Sequence, residues 1–257
     1  MRFAILGLGR FGQAFCDMLL KAGHHVRAFD PVVAVPAQLA TASLADAVEG
    51  AQWIVLAMPV PHMHSAVLAL RPLLRAGQTV IDVGSVKMHP CAMLDELLGT
   101  QIPHAGTHPL FGPLSLARGD RPLRTVICAS AQHPQAAADA GKLFVELGCE
   151  VIEQDPETHD RAMANTHAMA FFIAKGLVNM GVDEDMSVAP PSFQGLKHMV
   201  AAVRGDAGHL FAAIQQENPF AAEARVRLLD ALTLIHRKLL TEADENGNLA
   251  IPNQPGT

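Results

Sequence analysis

Through the first half of the chain, short apolar runs alternate with stretches whose apolar residues recur at helical spacing. Residues 2–6 read as a buried strand, followed by a glycine-rich turn and an apolar helical run to about Ala22, which Gly23 ends. His25 to Phe29 is the next strand and closes on Asp30. Trp53 to Ala57 and Thr79 to Val83 are further short runs bounded by turn residues, and Ser65 to Leu74 between them has helical spacing. His104 to Thr107, Thr125 to Ala129 and Glu150 to Glu153 complete the strands. Strands alternating with helices predict an α/β fold with a doubly wound parallel sheet.

The pattern changes near Asp155-Pro156. From Glu157 onward no strand is predicted. Helical stretches cover about 157–180, 192–204, 207–217 and 220–243, punctuated by Pro190-Pro191, Gly205 and Asn218-Pro219. The expected division is a sheet domain over 1–154, an all-α domain over 155–245 and a loosely held tail over 246–257. The apolar faces of the second half exceed what one small bundle covers, so it is expected to be a dimerisation domain that forms a homodimer.

Composition narrows the classes. The chain has 257 residues, half of them hydrophobic and 17% charged, which fits a globular protein with a sizeable core. The formal net charge is −6 and no basic run occurs, so no nucleic-acid partner is expected. No apolar run approaches the roughly 18 residues needed to span a bilayer, so no membrane partner is expected either. A strand begins directly after Met1 without the succession of a signal peptide, and the four cysteines show no CxxC spacing. A reducing cytoplasm is the expected setting.

Gly7-Leu8-Gly9-Arg10-Phe11-Gly12 lies between a strand and a helix, as a dinucleotide cradle requires. Gly7 permits the tight turn, Gly9 lets the backbone approach a pyrophosphate, and Gly12 lets helix and strand pack closely. This is a Rossmann-type signature. Asp30, at the end of the second strand, suits a ribose diol and repels a 2′-phosphate, and no Arg or Lys follows at 31–35. NAD is therefore the expected cofactor. Met58-Pro59 ends the third strand where that cofactor would lie, although Pro59 equally serves to stop the strand.

Asp82-Val83-Gly84-Ser85-Val86-Lys87 follows the fourth strand, at the sheet edge that faces ligand in such folds. Gly84 is assigned to the cofactor. Ser85 offers a donor and an acceptor, and Lys87 a point charge. The competing reading has Ser85 as a helix cap and Lys87 as a solvated first-turn residue. His108 stands after His104-Ala105-Gly106-Thr107, with Pro109 and Gly112 fixing the turn around it. A histidine on a rigid turn suits proton transfer near neutral pH, but it is one of thirteen. His62-Met63-His64 lacks a third ligand, so no metal is expected. Asp95-Glu96 and Asp183-Glu184-Asp185 read as solvated surface.

These marks together resemble the prephenate/arogenate dehydrogenase family. They are Gly7 to Gly12, Asp82 to Lys87, Thr107-His108-Pro109-Leu110-Phe111-Gly112-Pro113, His159-Asp160-Arg161-Ala162-Met163-Ala164, Pro191-Ser192-Phe193 and Glu217-Asn218-Pro219. The resemblance implies a Rossmann domain, a helical dimerisation domain, and NAD-dependent oxidative decarboxylation of a small anionic cyclohexadienyl substrate. It implies His108 as the acceptor of the substrate's hydroxyl proton and Ser85 as the group that orients it. Thr107, Lys87, His167 and Gln194 are the implied substrate contacts. Two departures stand out. The family commonly has a histidine twelve residues after His159, where this chain has Phe171, and His167 lies one turn earlier. An arginine that holds a substrate carboxylate does not align, and Arg204 is the nearest candidate. Prephenate, arogenate and an amino-substituted prephenate all remain open as substrates. So does another small acid, or a dinucleotide-sensing dimer without turnover.

Overall fold

The computed structural model describes residues 1–182, 189–205 and 208–241. The acidic triplet at 183–185 and the tail over 246–257 lie outside the described residues.

Seven strands form one sheet: β1 (Arg2–Leu6), β2 (His25–Phe29), β3 (Trp53–Leu56), β4 (Thr79–Asp82), β5 (His104–Pro109), β6 (Leu123–Ala129) and β7 (Cys149–Glu153). Their order is β2-β1-β3-β4-β5-β6-β7. Strands β1 to β5 run parallel, so their carboxyl ends share one edge. The chain crosses sides between β1 and β3, which opens a crevice at that edge. One detail departs from the wholly parallel sheet: β6 pairs antiparallel with β5, and β7 follows β6. The short link through a single-turn helix, in place of a full crossover, permits that reversal.

The helices of this half are α1 (Arg10–Lys21), α2 (Leu44–Val48), α3 (Val60–Leu70), α4 (Met88–Leu98), α5 (Pro113–Arg118) and α6 (Pro134–Glu146). Helix α3 begins earlier than the spacing predicts. Pro59 caps it and Pro61 sits in its first turn, where a missing N–H costs nothing. Successive side chains of a strand point to opposite faces, so each strand feeds two cores. Phe3 and Ile5 join Phe15, Leu19, Val55, Ile81 and Phe144 on one face. Ala4 and Leu6 join Ile54, Leu56, Val67, Leu70 and Leu94 on the other. Asp95 is not simply solvated: it accepts hydrogen bonds from His104 Nε2 at 2.9 Å and Ser130 Oγ at 2.5 Å.

The second half holds α7 (Pro156–Met163), α8 (Met169–Asn179), α9 (Gln194–Gly205), α10 (His209–Ala212) and α11 (Ala221–Thr241). Asp155 caps α7 by accepting the Thr158 amide. The long helix predicted over 157–180 is interrupted by a π turn at Ala164–Ala168, and a second π turn spans Ala213–Glu217. The two turns are stitched together, because Gln215 Nε2 donates to the Ala168 carbonyl at 2.7 Å.

The buried cores here are small: Ala168, Ile214 and Ala221, and separately Ala174, Val200 and Val203. At about 1.5–3 kcal/mol per large buried side chain, the sheet half carries most of the hydrophobic stabilisation. Helix α11 meanwhile leaves Leu229, Leu232, Leu234, Ile235, Leu239 and Leu240 exposed. Among the described residues, no helix is long and apolar enough to cross a membrane.

Gly12 is the tightest contact in the cradle, because a Cβ there would run into the Gly7 carbonyl oxygen. Gly12→Ala is expected to cost about 1–3 kcal/mol of stability, read as a lower urea midpoint with an unchanged slope.

Candidate active site

The register places Phe29, Leu6, Leu56, Asp82 and Gly106 in one row across the sheet. The residues just beyond that row on each strand therefore meet at the crevice. After β1 comes the glycine turn. Gly7 has φ +97°, a left-handed conformation, and a Cβ on it would lie 2.8 Å from the backbone of Ala57 and Met58. Gly9 has open space where a side chain would be. A turn squeezed on one side and open on the other, leading into α1, is a cradle for a phosphate group.

The residues assigned to cofactor divide into two groups. Gly7, Gly9, Gly12, Asp30, Met58, Pro59 and Gly84 all stand at the crevice edge. Asp30 is half-buried and accepts the Leu8 amide at 2.6 Å and the Val32 and Val33 amides at 2.8 Å each. Burial pushes its pKa up, but those three amides outweigh it and hold the carboxyl below its usual range.

Leu8 needs correcting as a cofactor contact. Its side chain is core and its amide is already bound to Asp30, so it braces the turn. Phe11 packs its ring against Phe15 and Phe111, tying α1 to the turn after His108. Arg10 is exposed and its guanidinium lies against Gly205, at the end of α9.

The chemistry gathers at His108, which is 5% exposed. Its Nδ1 lies 2.8 Å from His159 Nε2, and His159 Nδ1 lies 2.7 Å from Asp160 Oδ1. His167 stacks on His108 with ring centroids 6.2 Å apart, and Phe171 meets His167 edge-on at 4.7 Å. The π turn carries His167 into this position, an insertion frequent at functional sites. Ser85 is 7% exposed, and its hydroxyl makes no hydrogen bond to another described residue.

Burial first, then the neighbouring His159, His167 and Lys87, hold His108 well below the ordinary histidine pKa. Burial, then His159, lowers His167 to about 4. His108 and His167 are thus neutral imidazoles at neutral pH.

Two assigned substrate contacts, Lys87 and Thr107, are corrected. The Lys87 side chain is 0% exposed, and its ammonium pairs with Asp82 and donates to the Thr107 carbonyl at 2.7 Å. A buried charge must be paired in this way, so Lys87 is neither a free charge for substrate nor a solvated residue. Thr107 is also fully buried and turns its hydroxyl to the Asp82 carbonyl. Gln194 is exposed at the start of α9, with no bond to the histidine group among the described residues. Arg204 donates to the Val182 carbonyl at 2.6 Å.

His159 and Asp160 were visible only as a motif. Their contact with His108 bridges 51 residues, and no spacing rule predicts it. A separate open groove of about 790 Å³, lined by Arg2, His24, Arg27 and Leu39, lies on the far edge of the sheet. It holds neither the glycine turn nor His108.

A glycine cradle at the switch point, with a neutral histidine on the neighbouring strand ends, defines a nucleotide-dependent dehydrogenase. Residues 29–151 match the family described as prephenate dehydrogenase, nucleotide-binding domain. The chain is 28% identical over 239 residues to the 4-amino-4-deoxyprephenate dehydrogenase of Streptomyces pristinaespiralis, covering 86% of this chain and 79% of that protein. It is 27% identical over 252 residues to the chloroplastic arogenate dehydrogenase 2 of Arabidopsis thaliana, covering 93% and 70%. The fold matches that of prephenate dehydrogenase from A. aeolicus, solved with hydroxyphenyl propionate and NAD+. That match has a TM-score of 0.74 at 19% identity, over 95% of this chain and 92% of that one. Over most of its length the chain is thus similar to prephenate and arogenate dehydrogenases, and its residues 29–151 match their nucleotide-binding domain.

The buried histidines make stability depend on pH. A folded pKa of about 4 for His167 lies below the unfolded value of roughly 6.5, so the unfolded chain binds more protons between them. That stability is fully present above about pH 6.5 and is lost as the pH falls toward 4. Urea midpoints measured from pH 7.5 to 4.5 are expected to fall, and His167→Gln is expected to make the decline shallower.

Proposed function

We propose that this enzyme oxidises and decarboxylates prephenate or arogenate with NAD, yielding 4-hydroxyphenylpyruvate or tyrosine. The observation that carries the reading is His108. It is neutral, nearly enclosed and held at one ring nitrogen, while its Nε2 has no hydrogen bond to another described residue. Such a nitrogen is a ready proton acceptor. When bound, NAD supplies the two-electron acceptor for the hydride at the substrate's C4.

The residues do the rest. The glycine turn and the α1 amides take the pyrophosphate. Asp30 uses its remaining lone pairs for the adenosine ribose, and its charge disfavours a 2′-phosphate. Gly84 leaves room beside the cofactor. His108 accepts the C4 hydroxyl proton, and Ser85 orients that hydroxyl. His167 lines the ring pocket. Release of CO₂ from C1 and aromatisation make the reaction strongly downhill. Lys87, with Asp82, supports this site by fixing the ends of β4 and β5.

A substrate aminated at C4 is a second reading. Phe171, in place of the family's histidine, and the relative from Streptomyces both favour it. A sensor without turnover would need neither Ser85 nor His108. Incubation with NAD and prephenate, arogenate or the 4-amino analogue, following absorbance of the reduced cofactor, separates these readings. No reduction with any of the three overturns the proposal.

The working unit is a homodimer formed through α11. That helix is about 30 Å long, and its outer part offers apolar side chains on most of its surface. Four unpaired cysteines fit a cytoplasmic setting.

His108→Ala is expected to lower turnover by about 10²–10⁴-fold while NAD affinity, measured by calorimetry, stays within about threefold. Light scattering is expected to give twice the chain mass, and Leu232→Glu with Ile235→Glu to give the single-chain mass.

A further inference from the structure

Two side chains of the helical half lie outside the open crevice and yet end on His108. Asp160 and His159 are both fully buried. The Asp160 carboxylate accepts the Lys87 amide at 2.8 Å, the Met88 amide at 2.9 Å and the His159 ring at 2.7 Å. Each of its two oxygens accepts a backbone N–H at the amino end of α4, an arrangement that favours the carboxylate. His159 Nδ1 is therefore the donor to Asp160, and Nε2 of its neutral ring is a lone pair. That lone pair faces His108 Nδ1 at 2.8 Å, so the hydrogen of His108 sits on Nδ1. Nε2 of His108 is left as the acceptor. One buried carboxylate sets the direction of every hydrogen bond in the row.

We propose that His159 is a positioning residue that sets the tautomer of His108 and holds the substrate's hydroxyl proton while CO₂ leaves. The inference rests on His108 being the base. The C4–H bond breaks with its electron pair, a hydride that NAD held in the glycine cradle would accept. The hydroxyl proton passes to His108 Nε2, and the Nδ1 proton of His108 passes to His159 Nε2. The C1–carboxylate bond breaks, its electron pair completes the aromatic ring, and CO₂ departs. Both protons then shift back, the phenol oxygen recovers its hydrogen, and no net proton is released.

The surroundings explain why the charge is better held on His159. His108 faces His159 from α7, His167 from the π turn and Lys87 from the segment before α4. Asp82 pairs Lys87, whereas Asp160 lies directly against His159. A cation on His159 thus has a carboxylate at 2.7 Å. A cation on His108 has three basic neighbours.

The test uses the full chain. Imidazole ¹⁵N NMR of the protein without dinucleotide reads the tautomers directly. His108 is expected as Nδ1–H at neutral pH. In His159→Gln, whose amide oxygen accepts in place of the ring nitrogen, the same tautomer is expected. With NAD and substrate, His159→Gln is expected to lower kcat about 10- to 100-fold with KM within about threefold. An Nε2–H tautomer of His108 in the neutral unmodified protein overturns the proposal. So does His159→Gln with unchanged kcat. If His159→Gln does not fold, the tautomer of the unmodified protein decides. An unmodified enzyme that turns over no cyclohexadienyl substrate overturns the functional reading instead, and the tautomer measurement still judges His159.

Discussion

One buried carboxylate joins the two halves of this molecule. Asp160 stands on the first helix after the sheet and closes the amino end of α4 by accepting the Lys87 and Met88 amides. Asn218, far along the helical half, donates to the Asp160 carbonyl at 2.8 Å. The same residue holds His159 against His108. An ionised side chain without solvent persists only when its oxygens are fully engaged, so these bonds stand or fall together. The relative placement of sheet, helices and histidine is thus a single constraint.

A second buried charge stiffens the floor of the site. Lys87 and Asp82 meet with no exposure at all, and the lysine also holds the Thr107 carbonyl. The ends of β4 and β5 are thereby locked, and these ends carry Ser85 and His108. Buried pairs contribute little net stability compared with apolar packing, but removing one partner costs about 3–5 kcal/mol. Their value here is geometric: each strand end has one allowed position beside the cradle.

The helical half is built on different terms. Its own cores are a few small residues, while two π turns present His167 and Gln215 inward. A π turn sacrifices regular bonding to rotate one side chain, and here the rotated residues serve the site and its brace. Phe171 packs edge-on against His167. The same half leaves the apolar side chains of α11 largely uncovered.

The sequence alone determined the elements that rest on local rules. Apolar runs mark buried strands, Gly7 and Gly12 mark a turn that only glycine fits, and the loss of strands after Glu153 marks the change to helices. The place of Asp30, Ser85 and His108 at the sheet was legible because strand ends of a parallel sheet gather at one edge. Tertiary structure alone decided the direction of β6, the π turns, the burial of Lys87 and Thr107, and the contact of His159 with His108. The physical reason is range. A repeat of two or 3.6 residues reports which face is apolar, whereas a buried charge chooses its partner across 73 residues, from Asp160 to Lys87, and leaves no periodic trace.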